Sequence, residues 1–377
     1  MIPLLLCAVA VASTDLRVVV APPESLSDLR STRVTARVWW SGAPAEVQVA
    51  HGGQWKTVGQ GRAPVEIEGV FRGEAVRIRL DGAWTAPAYV PRTIGPADLA
   101  RLSGPPGTML AGTVGQIAHG ATAGTVWAST LGGGLVQAEA GGVVRSWTRW
   151  EGLPDDRVLA VSTEGGRVLV GTAGGAALLE GGRVEKLWST LGKDGHVQAV
   201  YLTRSTAWAG TPRGLFSLDP VKELSLGSVY SLAPRGDGGV WVGQGGVRTH
   251  GPPGGKLAKE VALKGDHIYA ILPIPDGIAV ASQEHGVWRS EADGLVRVPD
   301  FLGAGAYGLA RTGTGLWVAG GASGLFGPSG AVYGYADGLP GRSVWSLLQD
   351  TAAESLWVGT DRGLARFSPG PGDQAPR

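Results

Sequence analysis

Asp266-His267 and Glu284-His285 set two imidazoles beside two carboxylates, eighteen residues apart, in a chain with six histidines. That combination suits general acid–base catalysis or a divalent cation. Neither pair follows a known ligand spacing, and neighbouring residues of a strand point to opposite faces, so ordinary turn and surface positions explain the pattern equally well. A second set emerges when the repeats described below are aligned. Gln116, Arg157, His196, Ser228, His267, Ala306 and Ser343 then fall just before the first strand of each repeat. Arg157, His196, His267, Gln116 and Ser343 are the predicted ligand-binding residues, with the guanidinium fork of Arg157 suited to a carboxylate or sulfate. A wet channel mouth also accounts for polar residues there without any ligand. No metal and no cofactor is expected. The glycines at 132–134 lack the Lys-Ser/Thr of a phosphate loop, and no nucleophile elbow surrounds a serine.

The elements that must position these residues are set by a repeated phrase, a short apolar strand ending Val-Gly-Thr or similar before a Gly-rich turn. Its anchors are Trp127, Leu169, Trp208, Trp241, Ala279, Trp317 and Trp357, spaced 42, 39, 33, 38, 38 and 40 residues apart. This period is that of one four-stranded propeller blade. The fold class is therefore all-β, a seven-bladed β-propeller over residues 107–370. Within the second repeat VLAVST, RVLVGT, GAALLE and RVEKLW read as its four strands. The seventh repeat supplies three strands before a proline-rich tail at 371–377, and residues 107–111 are placed to complete it. The anchor tryptophans are predicted to fill the wedges between blades. Ala279 breaks that pattern, with Trp288 expected to fill the lost volume.

Residues 13–95 do not share the repeat. Short alternating runs such as VTARVWW, AEVQVAHG and AVRIRL predict a small β-sandwich-like domain, joined by a linker at 96–106. Residues 1–12 read as a signal peptide closing on Ala10-Val11-Ala12, which predicts a periplasmic or secreted protein. Cys7 is the single cysteine, so removal of that leader would leave neither a disulfide nor a cysteine metal site. No later segment is apolar enough to span a membrane. With 33 basic against 32 acidic residues and no block of like charge, composition offers no case for nucleic acid as a partner. The 63 glycines have no Gly-X-Y period and read as turn residues between many strands.

Two repeats carry more than the anchor phrase. Trp150-Glu-Gly-Leu-Pro-Asp-Asp-Arg-Val158 leads to VLVGT, and Tyr335-Ala-Asp-Gly-Leu-Pro-Gly-Arg-Ser-Val344 leads to LWVGTDRGLARF. They resemble the two-component regulator propeller repeat. The resemblance implies a propeller like those in the periplasmic sensor regions of hybrid histidine kinases, which recognise a ligand, often a carbohydrate. No membrane helix, phosphoacceptor region or ATP-binding segment is found here, so the resemblance carries binding and not phosphorylation.

The function read from the sequence is non-catalytic recognition of a small polar ligand, carbohydrate or protein partner on the channel face. One alternative is a lyase or hydrolase whose acid and base lie among His196, His267, Glu284 and His285. Another is a docking scaffold of an envelope complex. Architecture alone does not choose among them.

Overall fold

The computed structural model describes residues 16–20, 33–40, 43–90, 113–139, 142–189, 191, 195–250, 262–291, 294–299, 301, 305–350 and 355–368. The leader, the linker, residues 107–111 and the tail all lie outside the described residues. The chain divides into two compact units, Met1–Asp98 and Leu99–Arg377.

In the first unit, strict alternation builds two antiparallel sheets. Strand Ala45–His51 turns Ala45, Val47 and Val49 inward and Glu46 and Gln48 outward. Arg17–Val20, Arg33–Trp39 and Val65–Phe71 make one sheet. Gln54–Gly61, Ala45–His51, Ala75–Leu80 and Ala83–Trp84 make the other, with Ala88–Tyr89 also paired to Ala75–Leu80. Ala36, Val38, Ile67 and Val70 from the first sheet share one core with Val47, Val49, Val76 and Ile78 from the second.

The second unit is a propeller-like array of antiparallel sheets. The second repeat shows the rule, with Val158–Glu164, Arg167–Thr172, Gly175–Glu180 and Arg183–Trp188 pairing in chain order. Turns between them use Gly165-Gly166 and Gly181-Gly182, all at positive φ, the geometry tight hairpins require. The first, third and sixth repeats are four-stranded in the same way. The fourth and fifth differ from expectation by sharing one six-stranded sheet. There Val240–His250 and Ala262–Ile274 each run on from one ladder into the next, with register shifts at Gly245 and at Ile268–Ala270. In the seventh repeat the described residues form three strands, Val344–Asp350, Ser355–Thr360 and Gly363–Phe367.

The first strands of successive repeats pack beside one another through the array, and Val344–Asp350 of the seventh packs on Val114–His119 of the first. A core of Val114, Ile117, Val126, Ala128 and Ala138 closes around Trp357, so the two ends of the array meet. Each junction follows one pattern, because the anchor faces the apolar residues flanking the next anchor. Trp127 meets Val168 and Val170, Trp208 meets Val240 and Val242, and Trp317 meets Leu356 and Val358.

The expectation for Trp288 is corrected. Trp288 pairs directly with Val280 and so stands on that residue's face of the sheet, opposite to Ala279. It packs near Trp241, Ile278 and Val280, between the fourth and fifth repeats.

Candidate functional site

The seven first strands surround a cavity of about 960 Å³. One residue at an equivalent register of each repeat, in or just before its first strand, reaches it: Gly115, Leu159, Gln198, Tyr230, Tyr269, Tyr307 and Trp345. Four consecutive repeats thus present aromatic rings. Their centroids are 5.4 Å apart for Tyr230–Tyr269, 5.2 Å for Tyr269–Tyr307 and 4.9 Å for Tyr307–Trp345. Interplanar angles of 47°, 53° and 78° curve these rings around one side of the cavity. The opposite side, carrying Gly115, Leu159 and Gln198, has no ring at this register.

The polar ends of the aromatic arc are unspent. The hydroxyls of Tyr230, Tyr269 and Tyr307 have no hydrogen-bond partner among the described residues, and the indole N–H of Trp345 is buried without one. Burial pushes the Tyr269 phenol above its ordinary pKa, with Tyr230 and Tyr307 adding to the shift. It therefore remains a neutral donor near pH 7. No Lys or Arg lines the cavity among the described residues, and Asp361 is its carboxylate.

The sequence did carry a signal for this arc. Val229-Tyr-Ser-Leu, Ile268-Tyr-Ala-Ile, Ala306-Tyr-Gly-Leu and Val344-Trp-Ser-Leu repeat an aromatic residue at one register in four successive units. It lies on the first strands, whereas the anchor phrase lies on the second.

The predicted ring of residues is only partly assembled. Register pairs Val114, Val158, Ile268 and Val344 with Thr130, Thr172, Ser282 and Thr360. The position before the first strand is therefore Thr113 in the first repeat, not Gln116. In the sixth it is Gly305, not Ala306, since Gly308 pairs with Ala319 as Ala160 does with Gly171. Gln116 still lines the cavity, where its Oε1 accepts the Val161 N–H at 3.1 Å. His196 lines it as well. Ala306 is fully buried. Arg157 is not among the lining residues, and its guanidinium turns to Asp155 at 3.1 Å. Ser343 donates its N–H to Asp361 at 2.9 Å, and Ser228 accepts from Gln198 at 2.9 Å.

His267 touches the arc edge-on, its ring centroid 5.0 Å from that of Tyr230. Its Nδ1 pairs with Glu284 Oε1 at 2.5 Å, while its backbone N–H donates to Oε2 at 2.9 Å. His285 pairs instead with Asp266 at 2.8 Å. The two pairs hold a turn. In the first, second, third and seventh repeats that turn is clasped by a buried threonine, as when Thr172 Oγ1 donates to Gly175 O at 2.8 Å and accepts the Gly174 N–H at 3.1 Å. Thr130, Thr211 and Thr360 repeat the clasp. The fifth repeat has Ser282, which donates to buried Asp266 and accepts the His285 N–H at 2.8 Å. Asp266 also accepts the Glu284 N–H at 3.3 Å. These bonds orient both imidazole rings through Nδ1. Among the described residues no cluster of three or more His, Cys, Asp or Glu side chains is arranged to hold a metal ion.

No family model and no curated protein matches the chain. Solved structures do match. The extracellular domain of the hybrid two-component system BT4673 from B. thetaiotaomicron superposes with a TM-score of 0.56 at 16% identity, covering 69% of this chain and 38% of that one. That of BT3049 from the same organism gives 0.54 at 18% identity, covering 88% and 50%. This chain thus spans half or less of those two proteins' solved length. Kuenenia stuttgartiensis hydrazine synthase gives 0.55 at 12% identity, covering 71% and 99%. At these identities the likeness is one of fold, and it agrees with the two-component regulator propeller repeat that the sequence resembles. No helix among the described residues is long and apolar enough to cross a membrane.

Proposed function

We propose that this chain is an exported, non-catalytic binding protein. A β-sandwich at 13–95 precedes a closed seven-bladed propeller at 107–370 that takes a small, uncharged, polyhydroxylated ligand of the carbohydrate type in its central cavity. The arc of Tyr230, Tyr269, Tyr307 and Trp345 carries this reading. Its rings offer flat apolar faces to the C–H side of a sugar, while three unpartnered phenol hydroxyls meet its hydroxyls. A lining without Lys or Arg gives a carboxylate or phosphate no counter-charge. Export is supported by the leader-like start and by a fold shared with extracellular domains. The sandwich is supported by two sheets sharing one core, and closure of the ring by the packing of Trp357 on the first repeat.

The test is calorimetric titration of the full chain with a panel of neutral oligosaccharides, beside small acids and divalent metals. A saturating neutral sugar is expected, its affinity falling at least about tenfold in Tyr269→Ala. Binding of acids alone, or sugar binding that Tyr269→Ala and Trp345→Ala leave unchanged, would sink the proposal.

A further inference from the structure

The wall of the central cavity opposite the aromatic arc carries two primary amides, Gln116 of the first repeat and Gln198 of the third, with Leu159 of the second repeat between them. Each amide is held at one end by backbone of the next repeat. Gln116 Oε1 accepts the Val161 N–H at 3.1 Å, and Gln198 Nε2 donates to the Val229 carbonyl and to Ser228 Oγ, both at 2.9 Å. A backbone N–H can only donate and a carbonyl can only accept, so these bonds fix which way round each amide stands.

Holding neighbouring repeats together uses only those bonded ends. Gln116 keeps the N–H groups of Nε2 and Gln198 keeps Oε1; neither atom has a partner among the described residues, and neither is buried. One side of Leu159 therefore offers a donor and the other an acceptor. A planar trans amide is the complement of that pair, because its C=O and N–H point in opposite directions. A sugar hydroxyl in its place leaves one of the two protein groups unpaired, and a site built around such groups discriminates against a ligand that cannot meet them.

From this we infer that the sugar taken by the central cavity carries an acetamido group, so that the ligand is an N-acetylhexosamine or an oligosaccharide containing one. The sugar ring lies against the arc, the acetamido carbonyl accepts from Gln116 Nε2, the acetamido N–H donates to Gln198 Oε1, and the methyl group meets Leu159. A neutral acetamide also suits a lining without Lys or Arg among the described residues. The inference rests on the carbohydrate reading above and adds the substituent that selects among neutral sugars.

The experiment is calorimetric titration of the full chain with triacetylchitotriose and with cellotriose, which share a backbone and differ in the acetamido group that replaces one hydroxyl on each ring. Triacetylchitotriose is expected to bind at least about tenfold more tightly. Gln116→Glu keeps the acceptor for the Val161 N–H and removes the free donor. It is expected to weaken triacetylchitotriose about tenfold and cellotriose less than about threefold. Should that variant not fold, Gln116→Ala is expected to reduce the preference in the same direction. Tyr269→Ala is expected to weaken both sugars and to keep their ratio, so this inference and the channel reading fail separately. Equal affinity for the two sugars, tighter binding of cellotriose, or a preference undiminished in folded Gln116→Glu or Gln116→Ala overturns the acetamido assignment and leaves the channel reading standing. Absence of triacetylchitotriose binding while another neutral sugar saturates the chain overturns it as well.

Discussion

Trp317 and Ala279 stand at the same register of adjacent repeats, and the junctions they face differ accordingly. Trp317 is fully buried, its ring within 5.6 Å of Phe367 and its Nε1–H donating to Thr312 at 3.0 Å. Ala279 is equally buried, because Phe326 of the facing strand packs against it at the position that Ala365 holds beside Trp317. Where the anchor is small, the wedge is filled from the opposite strand, as Phe216 also does beside Leu169. The second strand keeps its pairing in both repeats, so backbone hydrogen bonding holds the blade while side-chain volume determines how tightly neighbouring blades close.

Truncation would break or sharpen that contrast most strongly. Trp317→Ala is expected to lower stability by about 3–5 kcal/mol, since it empties a packed wedge and strands the acceptor at Thr312. Ala279→Trp is expected to lower it by less, about 1–3 kcal/mol, because the added ring meets Phe326 in a wedge already filled. Urea midpoints of the two variants check this. A silent Ala279→Trp would mean that the fifth junction still holds unfilled space.

The anchor pattern was legible because it depends on one large residue type recurring at a fixed period. The strands of the second repeat follow for the same reason, their alternation being bounded by Gly-Gly turns. The six-stranded sheet was not legible, since the break expected between ladders depends on whether Gly245 ends a strand or passes through a register shift. Gln116 and Ala306 were misplaced because the distance between first and second strands varies among repeats, so counting back from the anchor drifts. The aromatic arc recurs at a residue type and period as regular as the tryptophans, but on the strand not used for alignment.

The turn clasps offer a second comparison. Thr172→Ala removes one buried hydroxyl from a turn and is expected to cost about 1–2 kcal/mol. Ser282→Ala removes a donor from Asp266, a carboxylate only 2% exposed, and is expected to cost about 2–3 kcal/mol. If the two cost the same, the His285–Asp266 pair holds the fifth turn without help from the serine. If Ser282→Ala is silent, the fifth turn is not built on the clasp at all.

Across the central cavity, one wall carries rings at the register of Tyr269 and the other does not, and Tyr269→Phe separates what a ring does from what a hydroxyl does. The variant keeps the stacked neighbours Tyr230 and Tyr307 while removing one unpartnered donor. Stability should stay within about 0.5 kcal/mol, while affinity for a bound oligosaccharide falls about three- to tenfold. Unchanged affinity would assign recognition to the ring faces alone.

The smallest effect is expected at Arg157, and its smallness is informative. By sequence it stands at the channel mouth with a fork suited to an anion, yet its side chain is 62% exposed and is engaged with Asp155, two residues away. That hydrogen bond, helped by the carboxylate's charge, holds its pKa above the ordinary value. An exposed local pair of this kind contributes about 0–1 kcal/mol. Arg157→Ala should therefore leave the urea midpoint and the affinity for any channel ligand within error of the unmodified chain. A clear loss of affinity would show that the guanidinium leaves Asp155 to meet the ligand, and would move the recognition surface from the aromatic wall to the rim above it.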